Sequence, residues 1–194
     1  MTMHSIQAKT AADAWYAAVT TVDVYGQNIL TEDFKLTREV YNLVIRIDQP
    51  GEGYPIPGSK WNLKGLEQYA LQLLDPNEKG FDYDYGSRLA RNNQINVAIE
   101  KLRDTPTTRR AILTTRVIPD DLFNQHTPCL QVVEFLARNN QLDMTCFFRS
   151  HDVRDAYPAN VYGLHALQKY VASDVGIKTG TLTTMSCSAH YYVE

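Results

Sequence analysis

Two runs, Leu130 to Ala137 and Gln141 to Phe148, flank the dipeptide Asn139-Asn140. Asparagine tolerates the left-handed backbone that a tight reversal demands, so this arrangement predicts a β-hairpin turning at 139–140. Its consequence for the fold is a sheet, and its two ends carry distinctive residues. Pro128-Cys129 precedes the first strand, and Arg149-Ser150 ends the second.

The other elements follow from periodicity. Ala11 to Val24 reads as a helix, with Ala12, Trp15, Val19 and Val22 on or near one face. Glu39 to Ile47 is rich in β-branched residues and reads as a strand closed by the Pro50-Gly51 turn. Trp61 to Leu74 predicts a helix stopped by Pro76, and Asn93 to Leu102 another. Arg110 to Arg116 predicts a strand. Asn160 to Ser173 predicts a long helix with Gly176 as its stop, and Thr179 to Val193 a closing strand. Helices and strands mix without regular alternation. The expected class is therefore α+β, a mixed sheet packed with helices, in one domain spanning 1–194.

Composition narrows the function. A net charge of −3 argues against a general nucleic-acid binder. No apolar run approaches the roughly 20 residues that span a bilayer, and the first residues lack the plan of a secretion signal. The three cysteines are widely spaced with no CxxC pair, so neither a disulfide framework nor a metal site is expected, and a reducing cytoplasm is the natural compartment.

Cys129 has two open roles. It is either an inert core thiol, as Cys146 within its strand is expected to be, or a nucleophile whose thiolate is favoured by nearby positive charge. Arg109-Arg110 and Arg149 are the candidate charges, and arginine's planar fork also matches phosphate. Arg109 and Arg110 read equally as a solvated pair at a sheet edge. Asp152 and Asp155 read as turn residues, and His126 as a solvated loop residue with a second reading as a base. His190 and Tyr192, two apart on the last strand, share one face; together they suit a sugar hydroxyl, and they read also as a plain half-exposed strand.

In order, Thr108-Arg109-Arg110-Ala111-Ile112-Leu113, Pro128-Cys129, Arg149-Ser150-His151-Asp152-Val153, Pro158-Ala159-Asn160 and Ala189-His190-Tyr191-Tyr192 resemble the thymidylate synthase family. The resemblance runs from about residue 82 to 192. Trp61-Asn62-Leu63 through Tyr85-Gly86 is similar to the short archaeal-type members. It implies that Cys129 adds to C6 of a pyrimidine, that Arg149 favours the thiolate, and that Arg149 and Ser150 hold the nucleotide phosphate. It further implies that Asn160 pairs with the base, His190 and Tyr192 hold the ribose 3′-hydroxyl, Asp152 meets the pterin ring, and Tyr85 assists proton removal from C5. Arg109 and Arg110 would reach the partner's site in a homodimer joined through the sheet face.

The implied reaction is reductive methylation of dUMP to dTMP with 5,10-methylenetetrahydrofolate, or methylene-tetrahydromethanopterin, and without a metal. Asparagine at 160 suits uracil, since an amide donates to O4 and accepts from N3–H. Two alternatives stay open: a dCMP or CMP hydroxymethylase of the same family, and a nucleotide-binding regulator without turnover. Leu130 and Gln131 follow the cysteine where many members carry histidine. The arginine-bearing phosphate loop of the long bacterial forms is absent from residues 20–40, and the family's base-side glutamate has no secure counterpart, since Glu67 in the 61–74 helix reads rather as an exposed helical residue. The sequence ends soon after Tyr192, from which a less enclosed folate or a different pterin is expected.

Overall fold

The computed structural model describes residues 3–77 and 84–193. The first residues of the stretch resembling the family, 82 and 83, lie outside them. In chain order the elements are β1 (His4–Thr10), α1 (Ala11–Tyr25), β2 (Gln27–Leu30), β3 (Leu36–Gln49), α2 (Leu63–Leu74), α3 (Tyr85–Ala90), α4 (Gln94–Asp104), β4 (Ala111–Thr114), β5 (Leu130–Arg138), β6 (Gln141–Asp152), α5 (Tyr157–Val175) and β7 (Lys178–Tyr192). One mixed sheet runs β1-β3-β7-β6-β5-β4, with β2 paired on β3. The β1/β3 and β6/β7 pairs are parallel and the rest antiparallel. The fold is α+β, as the irregular order of elements predicts.

Local chemistry accounts for the boundaries. Thr10 and Asp13 form a reciprocal capping box at the start of α1. The Asn62 side chain accepts the Gly65 amide, so α2 begins at Leu63 and not at Trp61. Gly176 ends α5 at φ 82°, the left-handed cap that glycine favours. The β5–β6 hairpin turns on Asn139 and Asn140, at φ 51° and 61°. Its second strand runs on to Asp152, so Arg149 and Ser150 lie inside β6 and do not end it. The reason is β7, which pairs alongside β6 as far as Asp152↔His190 and extends the ladder.

The core lies between one sheet face and the helices. Leu43, Ile45 and Ile47 of β3, Leu142, Met144, Cys146 and Phe148 of β6, and Leu182 of β7 are fully or almost fully buried there with Leu164, Leu167 and Val171 of α5. Cys146 is the inert buried thiol expected of it, pushed far up by burial. Helix α2 packs on α5 at Gly163, where a β-carbon would crowd Tyr69 and Leu73.

Simple alternation fails at one level of the sheet. Burial steps in twos down to Phe148, Ser186 and Leu43, then skips to His151, Ala189 and Val40. These triplets are in register, Phe148↔Ser186↔Leu43 and His151↔Ala189↔Val40. Three neighbouring strands therefore shift their pleat by one residue at the same place, each leaving two consecutive residues off the core: 149–150, 187–188 and 41–42. On β3 the shift falls at Asn42, whose φ is 54°.

Candidate active site

The pleat shift faces a cavity. Beyond it, Ser188, His190 and Tyr192 of β7 line an open cleft of about 480 Å³ together with Arg149, Ser150 and Cys129. Adjacent residues on a regular strand point to opposite faces; Arg149 and Ser150 reach one cavity because they sit at the shift. The far wall is the β2–β3 hairpin, including Ile29, Glu32, Asp33 and Glu39. A volume of this size suits a small-molecule ligand.

Cys129 is half-buried and sits immediately before β5. Its segment is held from several sides. The Arg149 guanidinium donates from Nε to the Pro128 carbonyl at 3.1 Å and from Nη2 to the Thr127 carbonyl at 2.7 Å. The Arg149 amide donates to the Cys129 carbonyl at 2.9 Å. On the other side, the Leu130 amide donates to the Tyr85 phenol oxygen at 3.1 Å, and the Thr115 hydroxyl donates to the Leu130 carbonyl. Two of the five guanidinium N–H groups of Arg149 are thus spent on the loop, and the rest are available to an anion.

Tyr85 opens α3, and Gly86 shows why a glycine follows it: a β-carbon there would collide with the carbonyls of Gln72 and Asp75. Helix α3 is tied to the segment ahead of Cys129 by a fork-to-fork ion pair, in which Arg88 meets both oxygens of Asp121 at 3.0 Å. The Asp121 side chain is fully buried and that of Arg88 is partly buried. Asp121 also accepts the Val117 amide at 2.6 Å.

His190 is buried beside Tyr192, ring edge to ring face at 5.5 Å, and its Nδ1 lies 3.3 Å from the Ser188 hydroxyl. Burial lowers its pKa, while Asp152 and Glu39 pull it partly back. The Tyr192 phenol is raised, by burial first and then by the charges of Asp152, Cys129, Asp33 and Glu32. Lys35 lies over its ring at 5.6 Å. The Asp152 carboxylate accepts the amides of Arg154 and Asp155 at 3.1 and 2.9 Å, which fixes it at the β6–α5 turn.

Asn160, Asp152 and Tyr85 lie outside the residues that line the cleft. Asn160 is buried near the start of α5. The Tyr69 hydroxyl donates to its Oδ1, and its Nδ2 lies 3.2 Å from Nε2 of His151. His151 Nδ1 in turn lies 3.0 Å from the Ser186 hydroxyl. Sequence reasoning assigned no role to Tyr69, His151 or Ser186, and no spacing links them; only the adjacency of His151 to Arg149-Ser150 pointed this way. Glu67 is exposed on α2, and Tyr69 from the same helix is the residue that reaches Asn160. His126 lines the cleft from an exposed loop.

Arg109 and Arg110 are exposed just ahead of β4 and are not among the residues lining the cleft. Among the described residues Arg149 is the only arginine lining it, against Glu32, Asp33 and Glu39. Among the described residues no group of three or more acidic, histidine or cysteine side chains is arranged to hold a metal. No helix of the described residues is long and apolar enough to cross a membrane.

Comparison with known proteins places these features. The family profile described as thymidylate synthase matches residues 14–194. A protein of Methanosarcina barkeri named "Putative thymidylate synthase" is 42% identical over 192 residues, covering 96% of this chain and 88% of its own length. The protein of the same name from Methanococcoides burtonii is 42% identical over 192 residues, with the same coverage. That of Methanothermobacter thermautotrophicus is 35% identical over 207 residues, covering 97% of this chain and 93% of its own.

Proposed function

The chain belongs to the thymidylate synthase family, and from that premise we propose that it methylates dUMP to dTMP, with Cys129 as the nucleophile. The observation that carries the proposal is the convergence of Cys129, Arg149, Ser150, His190 and Tyr192 on one cleft. In this reading the Cys129 thiolate adds to C6 of uracil and turns C5 into an enolate carbon able to attack an electrophilic one-carbon unit. Arg149 and Ser150 bind the phosphate, and the guanidinium that grips residues 127 and 128 also favours the thiolate. His190 and Tyr192 hold the ribose hydroxyl. Tyr85, bonded to the residue after the cysteine, assists loss of the C5 proton.

The family's co-substrate, a methylene-tetrahydropterin, supplies the methylene carbon and the hydride. The residues present fit it: the fixed Asp152 carboxylate is an acceptor for a pterin ring N–H, and Trp61 packs edge-on against Tyr69 nearby at 5.8 Å.

A lone arginine facing three carboxylates makes a weak site for a nucleotide dianion. That imbalance supports a homodimer in which Arg109 and Arg110 serve the partner's cleft. Val44, Met185 and Phe147 stand side by side on the sheet face opposite the helices, with Met185 41% and Phe147 36% exposed; this is the apolar surface through which the dimer would form.

The test is incubation with dUMP or dCMP tritiated at C5 and either methylene-tetrahydropterin. Tritium release from dUMP with oxidation of the pterin is expected. Release without oxidation assigns the hydroxymethylase, and nucleotide binding with no release assigns a regulator; each overturns the proposal.

A further inference from the structure

A carboxamide turned through 180° exchanges donor and acceptor with almost no change of shape. Uracil presents an acceptor at O4 and a donor at N3–H, whereas cytosine presents a donor amino group and an acceptor N3. An asparagine free to turn accommodates either base. What selects between them is whatever holds the amide one way round.

In this protein the Asn160 amide is held on both sides. The Tyr69 hydroxyl donates to Oδ1, and Nδ2 faces His151 Nε2 at 3.2 Å. The His151 ring is stacked on Phe148 at 3.8 Å and 12° between planes, so it is braced against rotation. A neutral imidazole has one donor and one acceptor nitrogen. With Nε2 accepting the amide N–H, the proton resides on Nδ1 and is donated to the Ser186 hydroxyl at 3.0 Å. Burial keeps this ring neutral, with its pKa lowered to about 3 and the neighbouring His190 adding to the effect. A protonated His151 would donate from both nitrogens and turn the amide over.

We propose that His151 is a positioning residue that fixes the orientation of the Asn160 amide and thereby sets the preference for uracil over cytosine. The inference rests on the proposed dUMP site and on the pairing with the base that the family resemblance implies for Asn160. It assigns specificity to a chain from Ser186 through His151 and Asn160 to Tyr69, in which the histidine touches no substrate.

Two measurements test it. Nitrogen NMR of the histidine-labelled protein between pH 6 and 8 is expected to show His151 neutral with its proton on Nδ1; a proton on Nε2, or a charged ring, overturns the proposal even if no variant folds. Calorimetric titration of dUMP and dCMP into wild type is expected to show a dUMP preference that shrinks about tenfold or more in His151→Leu. His151→Gln, which again offers an acceptor oxygen, is expected to recover part of it. An unchanged preference in a folded His151→Leu protein overturns this inference alone. Wild type that binds neither nucleotide overturns the reading of the cleft and this inference with it.

Discussion

The phenol oxygen of Tyr85 accepts the backbone N–H of Leu130 at 3.1 Å, and Leu130 is the residue that follows Cys129. A hydroxyl proposed to work on the C5 proton is thus tied to the backbone that carries the nucleophile. Tyr85→Phe keeps the ring in place and removes only the oxygen. Tritium release is expected to fall about 100-fold, in the range of a lost proton-transfer group, with dUMP affinity little changed. A variant with full turnover would remove Tyr85 from the chemistry.

Cys129→Ser is expected to abolish tritium release while nucleotide still binds, because the hydroxyl lacks the nucleophilicity of a thiolate. Calorimetry and the release assay on the same preparation check this. Near-normal turnover would exclude a covalent step at this residue.

Arg149→Lys preserves charge but not the fork. A single ammonium cannot hold the Thr127 and Pro128 carbonyls and an anion in the same geometry. Weakening of dUMP binding by about tenfold or more, equivalent to roughly 1.4 kcal/mol, is expected in titration, together with a larger loss of turnover.

The shared-site proposal has its own test in mixed subunits. Cys129→Ser and an Arg109→Ala, Arg110→Ala double variant are each expected to be nearly inactive. Allowed to exchange subunits in equal amounts, half the dimers become hybrids with one intact site, so about a quarter of wild-type activity should return. If nothing returns, the two arginines act within their own subunit; if the double variant is active by itself, they take no part.

Stability should fall on acidification. Burial lowers the pKa of His151 to about 3, and those of His165 and His190 as well, below the usual value near 6.5. Below that value the unfolded chain takes up protons that the folded chain refuses, so stability is complete above about pH 6.5 and is lost as pH falls towards the folded pKa values. The His151 contribution amounts to about 1.4 kcal/mol per pH unit in this window. Urea unfolding at pH 7, 6 and 5 should show it, and His151→Gln should be correspondingly less sensitive. Equal slopes in the two proteins would mean that His151 titrates normally in the fold.

Much of this architecture is legible in the sequence because long elements repeat their signal. The 19-residue α5 and 15-residue β7 present their periodicity several times over, and Asn139-Asn140 marks its turn by residue type alone. Strand β2 has four residues and α3 six, too few to establish a period, and β1 has only Ala8 buried. The same holds for the site. Cys129, Arg149, Ser150 and Asn160 stand in short recognisable strings, whereas the hydrogen-bonded chain that joins Asn160 to Tyr69, His151 and Ser186 links α2, β6, α5 and β7 across long separations. The placement of Arg149 and Ser150 on one cleft depends on a pleat shift that alternation rules do not anticipate.

That shift also governs which changes the chain can survive. Because β3, β7 and β6 step together, none can lose or gain a residue at that level on its own. Deleting Ser150 would carry Asp152 to the core position of His151 and turn Val153 outward, while β7 alongside kept its original facing. These strands should accept many side-chain replacements on their open face and almost no alteration in length, so variation in this part of the protein is expected as substitution and seldom as insertion or deletion.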